Sequence, residues 1–140
     1  MIIVDANVLI NAVNQPAEHH QRARTWLDTA MTGTDVIGLP WISILAFLRI
    51  STNARIFDRP LAVSHAAALV RSWIDAPAAI VPMPGNDHVT TLTRLLETVG
   101  TAGNIVNDAH LAALALEYDG EVVTFDRDFG RFPGVRWRTP

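Results

Sequence analysis

The chain has 140 residues, a net charge of −3, and 49% hydrophobic against 18% charged residues. That suffices for one domain with a sizeable core, taken as 1–140, and is too short for two; a disordered chain shows the reverse balance. There is no Cys, which excludes disulfides, thiolate metal sites and Cys nucleophiles and leaves any metal to oxygen ligands or the His side chains.

The start, Met1-Ile2-Ile3-Val4-Asp5, lacks the basic opening and long apolar run of a signal peptide. No apolar run approaches the ~20 residues of a membrane helix. A cytoplasmic protein is expected, with no membrane contact.

In chain order, the pattern predicts a strand at Ile2–Val4 and a helix at Glu18–Met31, with Ala23, Trp26, Leu27 and Ala30 on one face. A strand at Val36–Leu39 leads to a nearly all-apolar helix at Ile42–Ala54 and a helix at Val63–Asp75 carrying Ala67, Val70, Trp73 and Ile74. A strand at Ala79–Met83 precedes helices at Asp87–Val99 and Ile105–Tyr118, then strands at Val122–Phe125 and Val135–Trp137. Strands alternating with helices make an α/β fold, with a mostly parallel twisted sheet of about five strands covered on both faces. Such sheets bind ligands beyond the carboxyl ends of their strands.

Carboxylates stand at those ends. Asp5 follows the first strand; Asp126 and Asp128 follow the fourth. Taken singly, each is an ordinary cap or turn residue, and Asp108 is an ordinary acid of a helix's first turn, with Asn107 as a cap. Taken together they read differently. If the first and fourth strands are neighbours, these acids share one crevice, and their mutual repulsion calls for a cation. An all-oxygen site suits Mg²⁺ or Mn²⁺, and such a site suits phosphoryl chemistry.

Three stretches resemble the PIN-domain ribonucleases, and specifically VapC-type toxins of type II toxin–antitoxin pairs: Ile3-Val4-Asp5-Ala6-Asn7-Val8-Leu9, Asn107-Asp108-Ala109-His110-Leu111-Ala112-Ala113, and Thr124-Phe125-Asp126-Arg127-Asp128-Phe129. The resemblance implies a three-layer α/β/α fold and Mg²⁺-dependent cleavage of RNA by metal-activated water. It makes Asp5, Asp108 and Asp126 catalytic, all three metal ligands with Asp128 beside them. Asn7 and Thr124 would orient these carboxylates, though Asn7 reads equally as a capping amide. The resemblance further implies a VapB-like antitoxin partner and a homodimer. It departs at Leu45-Ala46-Phe47-Leu48-Arg49, where the family usually has a Glu at the place of Phe47. Phe cannot ligate a metal. That leaves one ion rather than two, or a second completed by substrate phosphate. The alternative is a degenerate domain that binds RNA or antitoxin with weak or no turnover. A different metal phosphohydrolase acting on small phosphoesters ranks last.

Arg127, Arg131, Arg136 and Arg138 crowd the C-terminal segment. They suit RNA phosphates, Arg127 and Arg131 above all, or else a charged edge strand. Arg22, Arg24, Arg49 and Arg55 read as surface pairs, and the His residues as surface or packing groups, with His110 the one able to face the acids. The Trp41–Arg49 helix reads as a core helix, or as a surface for an antitoxin helix or a second copy. The glycines at 100 and 103 do not make a phosphate-binding loop.

Overall fold

A computed structural model describes residues 1–100 and 103–140; the stretch 100–103 thus falls partly outside the described residues. The sheet contains β1 (Ile2–Val4), β2 (Ile37–Gly38), β3 (Ala79–Ile80), β4 (Glu121–Val123) and β5 (Arg136–Arg138), in the order β3-β2-β1-β4-β5. Every pairing is parallel. The order reverses between β1 and β4, so the crevice of this sheet opens beyond Val4 and Val123.

Alternating side chains divide the core in two. Ile2 and Val4 of β1, with Val123 of β4, face a core shared with α1 (Ala6–Val13), α2 (His20–Thr32), α3 (Trp41–Ser51) and α4 (Val63–Ile74). Ile3 and Val122 face the other core, with α5 (His88–Val99), α6 (Val106–Glu117), Phe129 and Phe132. Helices on both faces complete a three-layer α/β/α fold.

Three differences from the sequence expectation matter. Helix α1 was not expected. Its eight residues continue the apolar run of β1, and β-branched Val8, Ile10 and Val13 give no sign that a helix has begun. It is held by packing: Val8, Leu9 and Ala12 are buried against α2 and α3. Strand β4 stops at Val123, short of Thr124 and Phe125, although the Thr124 N–H still bonds the Arg138 carbonyl of β5 at 3.0 Å. The segment after Asp126, to which the sequence pattern assigned no element, is a 3-10 helix, Arg127–Arg131. A smaller correction concerns α4, which buries Ala66 and Val70 and leaves Ala67 exposed.

The turn from α6 to β4 requires glycine. A Cβ on Gly120 would collide with the Met1 carbonyl oxygen, at the point where the Glu121 N–H bonds that same oxygen at 3.0 Å.

Candidate active site

Asp5 is 9% exposed and precedes α1, but its side chain does not cap that helix. Its Oδ2 instead accepts from Asn7 Nδ2 and from Thr124 Oγ1, each at 2.7 Å. Thr124 is fully buried, and its hydroxyl is saturated. It donates to Asp5 and accepts from Asn7 Nδ2 at 2.8 Å and from the Asp126 N–H at 2.9 Å. Asn7 completes the clamp, its Oδ1 accepting from the Phe125 N–H at 3.1 Å. Asn7 thus orients the carboxylate rather than capping α1, and it ties the end of β1 to the chain leaving β4. Asn11 Nδ2 in turn holds the Asn7 carbonyl at 2.7 Å.

Asp126 is half-buried and does cap the 3-10 helix, its Oδ1 accepting from the Asp128 N–H at 2.8 Å. Asp128 is exposed. Asp108 arrives on the first turn of α6, whose N-cap is Ile105; Asn107 lies inside the helix and makes no cap among the described residues.

The electrostatics show that the four acids share a locality. Burial raises the Asp108 carboxyl to about 6, and the charges of Asp5, Asp126 and Asp128 push it the same way. Burial also raises Asp5, against the Thr124 hydroxyl and the nearby N–H groups of Asn7 and Ala6, with Asp126 adding to the rise. The carboxylates feel one another without closing into a cage: among the described residues no three Asp, Glu or His side chains form a ligating cluster. One oxygen of Asp126 accepts a backbone N–H, and its other oxygen makes no hydrogen bond among the described residues. The donor set itself fits a hard divalent cation. It is all carboxylate, and the like-charge stress on Asp108 is the kind that a cation relieves.

Phe47 is fully buried and meets Trp73 edge-on, with centroids 4.9 Å apart. The α3 side therefore offers the core a ring and the site no ligand. Helix α3 is also not wholly internal: Trp41 and Leu45 are more than half exposed on its outer face.

Of the arginines, Arg136 is spent on the Asp119 carboxylate at 2.9 Å and on the carbonyls of Asp119 and Gly120. Arg138 bonds Glu121 at 2.8 Å and lies 6.0 Å from the Trp26 ring centroid. Both belong to the edge-strand account. Arg127 and Arg131 are exposed beside the acids and make no ion pair among the described residues. Arg24 pairs with Asp28, and Arg22 holds the Pro140 carbonyl and Thr139.

His110 does not turn toward the acids. Its Nδ1 meets His88 Nε2 at 2.8 Å, and His88 Nδ1 meets Glu117 Oε1 at 2.6 Å. Nothing in the spacing of residues 88, 110 and 117 announces this network, since 88 lies on another helix. A cavity of about 760 Å³ is also elsewhere. It lies between α1, α2 and α4, with Ala12, Leu27, Leu69 and Trp73 among its apolar lining and Arg24 and Arg59 among its polar lining.

Comparison with known proteins agrees with this architecture. The PIN domain family matches residues 2–135. Ribonuclease VapC37 of Mycobacterium tuberculosis is 49% identical over 140 residues, covering all of this chain and 97% of that protein. Ribonuclease VapC33 of the same organism is 38% identical, covering all of this chain and 98% of that protein. Among solved structures, Mycobacterium tuberculosis VapC20, a Sarcin-Ricin loop cleaving toxin, superposes with a TM-score of 0.70 at 19% identity, covering 97% of this chain and 99% of that one. VapBC2 from Rickettsia felis, bound to a DNA fragment from their promoter, gives 0.68 at 17% identity, covering 100% and 99%. This chain belongs to the PIN-domain family, among its VapC-type ribonucleases.

Proposed function

We propose that the protein is the toxin of a toxin–antitoxin pair and cleaves RNA phosphodiesters with Mg²⁺ as cofactor and Mn²⁺ as substitute. The observation that carries this reading is the gathering of Asp5, Asp108, Asp126 and Asp128 at the switch point of the sheet, with Asp108 raised to about 6 by burial and by its acidic neighbours. Asp5, Asp108 and Asp126 would hold the cation, with Asp128 at the rim; when bound, it would activate water and offset charge on the phosphate. Thr124 and Asn7 bind one Asp5 oxygen and so fix the direction of the other. Arg127 and Arg131 contact the RNA backbone from the adjacent 3-10 helix.

The antitoxin docks in the groove between α1, α2 and α4, whose apolar floor and charged rim suit an amphipathic helix. The exposed Trp41 and Leu45 of α3 serve the homodimer contact.

The test is cleavage of RNA by the wild-type chain and by Asp5→Asn, with and without Mg²⁺. Cleavage should require the ion and fall at least about 100-fold in the variant, beyond the 10–100-fold typical of groups that only orient ligands. Equal rates would end this reading. Phe47 favours a second one, a binding module without turnover: RNA binding indifferent to metal, and no growth arrest on expression.

A further inference from the structure

His19 and Phe125 form a feature at the rim of the site that neither the clamp nor the acids explain. Phe125 lies between Thr124 and Asp126, and its N–H is held by Asn7 Oδ1 at 3.1 Å, which fixes the start of this side chain relative to Asp5. The His19 imidazole, just before α2, lies flat on the Phe125 ring, with centroids 4.3 Å apart and planes 9° apart. Among the described residues the other aromatic pairs meet edge-on, at 66°, 71° and 66°. Parallel and edge-on contacts both occur between protein side chains, but only a parallel pair presents a ring in the orientation that continues a stack of bases. Both rings are only half-buried. The ring of His20 is tied to the Asn11 carbonyl at 2.9 Å, while that of His19 makes no hydrogen bond among the described residues. A flat, partly exposed stack, one residue from an acid of the site, has the shape of a base platform.

We infer that His19, backed by Phe125, stacks a base of single-stranded RNA next to the reacting phosphodiester. This rests on the nuclease reading and adds to it a determinant of substrate choice. The strand must be single, because the faces of duplex bases are already covered.

The experiment uses short single-stranded RNAs carrying an abasic residue at each position around the cut. One such position should lower the wild-type kcat/KM about 10-fold, chiefly through KM. His19→Ala should lose as much on the intact RNA and nothing further on the abasic one, since both remove the same contact. His19→Phe keeps a stacking ring and should restore the wild-type value. Quenching of 2-aminopurine placed at that position, read on rapid mixing before cleavage, should appear with wild type and His19→Phe and vanish with His19→Ala. Additive losses, or no quenching at any position, overturn the platform. The Asp5→Asn variant separates the two ideas: if it cuts RNA like wild type while the 2-aminopurine signals hold, the proposed carboxylate–cation mechanism fails and the platform stands.

Discussion

Asp108 and His110 are two residues apart on α6 and so project from different sides of it. Around Asp108 every charged neighbour that moves its titration is an acid. Around His110 donors meet acceptors. The order that satisfies each atom runs from His110 Nδ1–H to His88 Nε2, and from His88 Nδ1–H to Glu117 Oε1, while Glu117 Oε2 accepts from the Gly85 N–H at 2.9 Å. Burial lowers the His110 titration, the His88 charge lowers it further, and Glu117 opposes both. One helix thus carries a relieved network on one side and an unrelieved one on the other. Relieved networks specify a fold. Electrostatic stress left standing in a crevice is what the proposed cation would remove.

The sharpest way to break this contrast is Thr124→Val. It removes the one hydroxyl that joins Asp5, Asn7 and Asp126. RNA cleavage should fall roughly 10–100-fold, as when other ligand-orienting partners are lost. A rate near wild type would show that the clamp is structural only.

His88→Ala should do the reverse. Denaturant unfolding should show a loss of roughly 1–3 kcal/mol from the partners left unsatisfied, with kcat unchanged. A fall in kcat without loss of stability would place the histidines in the chemistry.

Asp108→Asn tests the stress itself. Between pH 3.8 and about 6 the folded chain keeps a proton that the unfolded chain has released, so this group makes stability fall as pH rises through that window. The variant should match wild type in Tm below the window, exceed it above, and lose cleavage throughout. Mg²⁺ should raise the wild-type Tm above pH 6 and much less at pH 4. The smallest effect belongs to Arg131→Ala: a shallower salt dependence of RNA binding, by roughly one unit of the log–log slope, with no change in Tm.

All ten expected elements exist because each carries its own period, such as the β-branched run of β1 and the Leu92, Leu95 and Leu96 spacing of α5, but β2, β3 and β4 are shorter than the expected Val36–Leu39, Ala79–Met83 and Val122–Phe125. Helix α1 escaped notice because eight residues hold too few turns to separate a helix from an apolar strand. Asp5, Asp126 and Asp128 were legible as residues beyond strand ends, and Asp108 as an acid of a helix's first turn. Their clamp was legible only as the polar pair Asn7 and Thr124, which lie 117 positions apart. The His88 network, the His19–Phe125 stack and the fate of Arg136 and Arg138 had no local signature, because each joins segments that only the fold brings together.

Sequence alone determined the layered α/β class, the absence of thiolate chemistry, the family and the identity of the acids. The class and the absence of thiolates follow from residue types and short-range period; the family follows from the resemblance of three short motifs, which also singled out the acids as candidates. Tertiary structure decided that β1 and β4 are neighbours, that Asp5 is gripped rather than capping, that Phe47 closes the core instead of the site, and that Arg127 and Arg131 are the exposed cations beside the acids. Those outcomes depend on contacts between distant segments. Long-range pairing is set by packing the whole chain into one volume, not by any window of sequence.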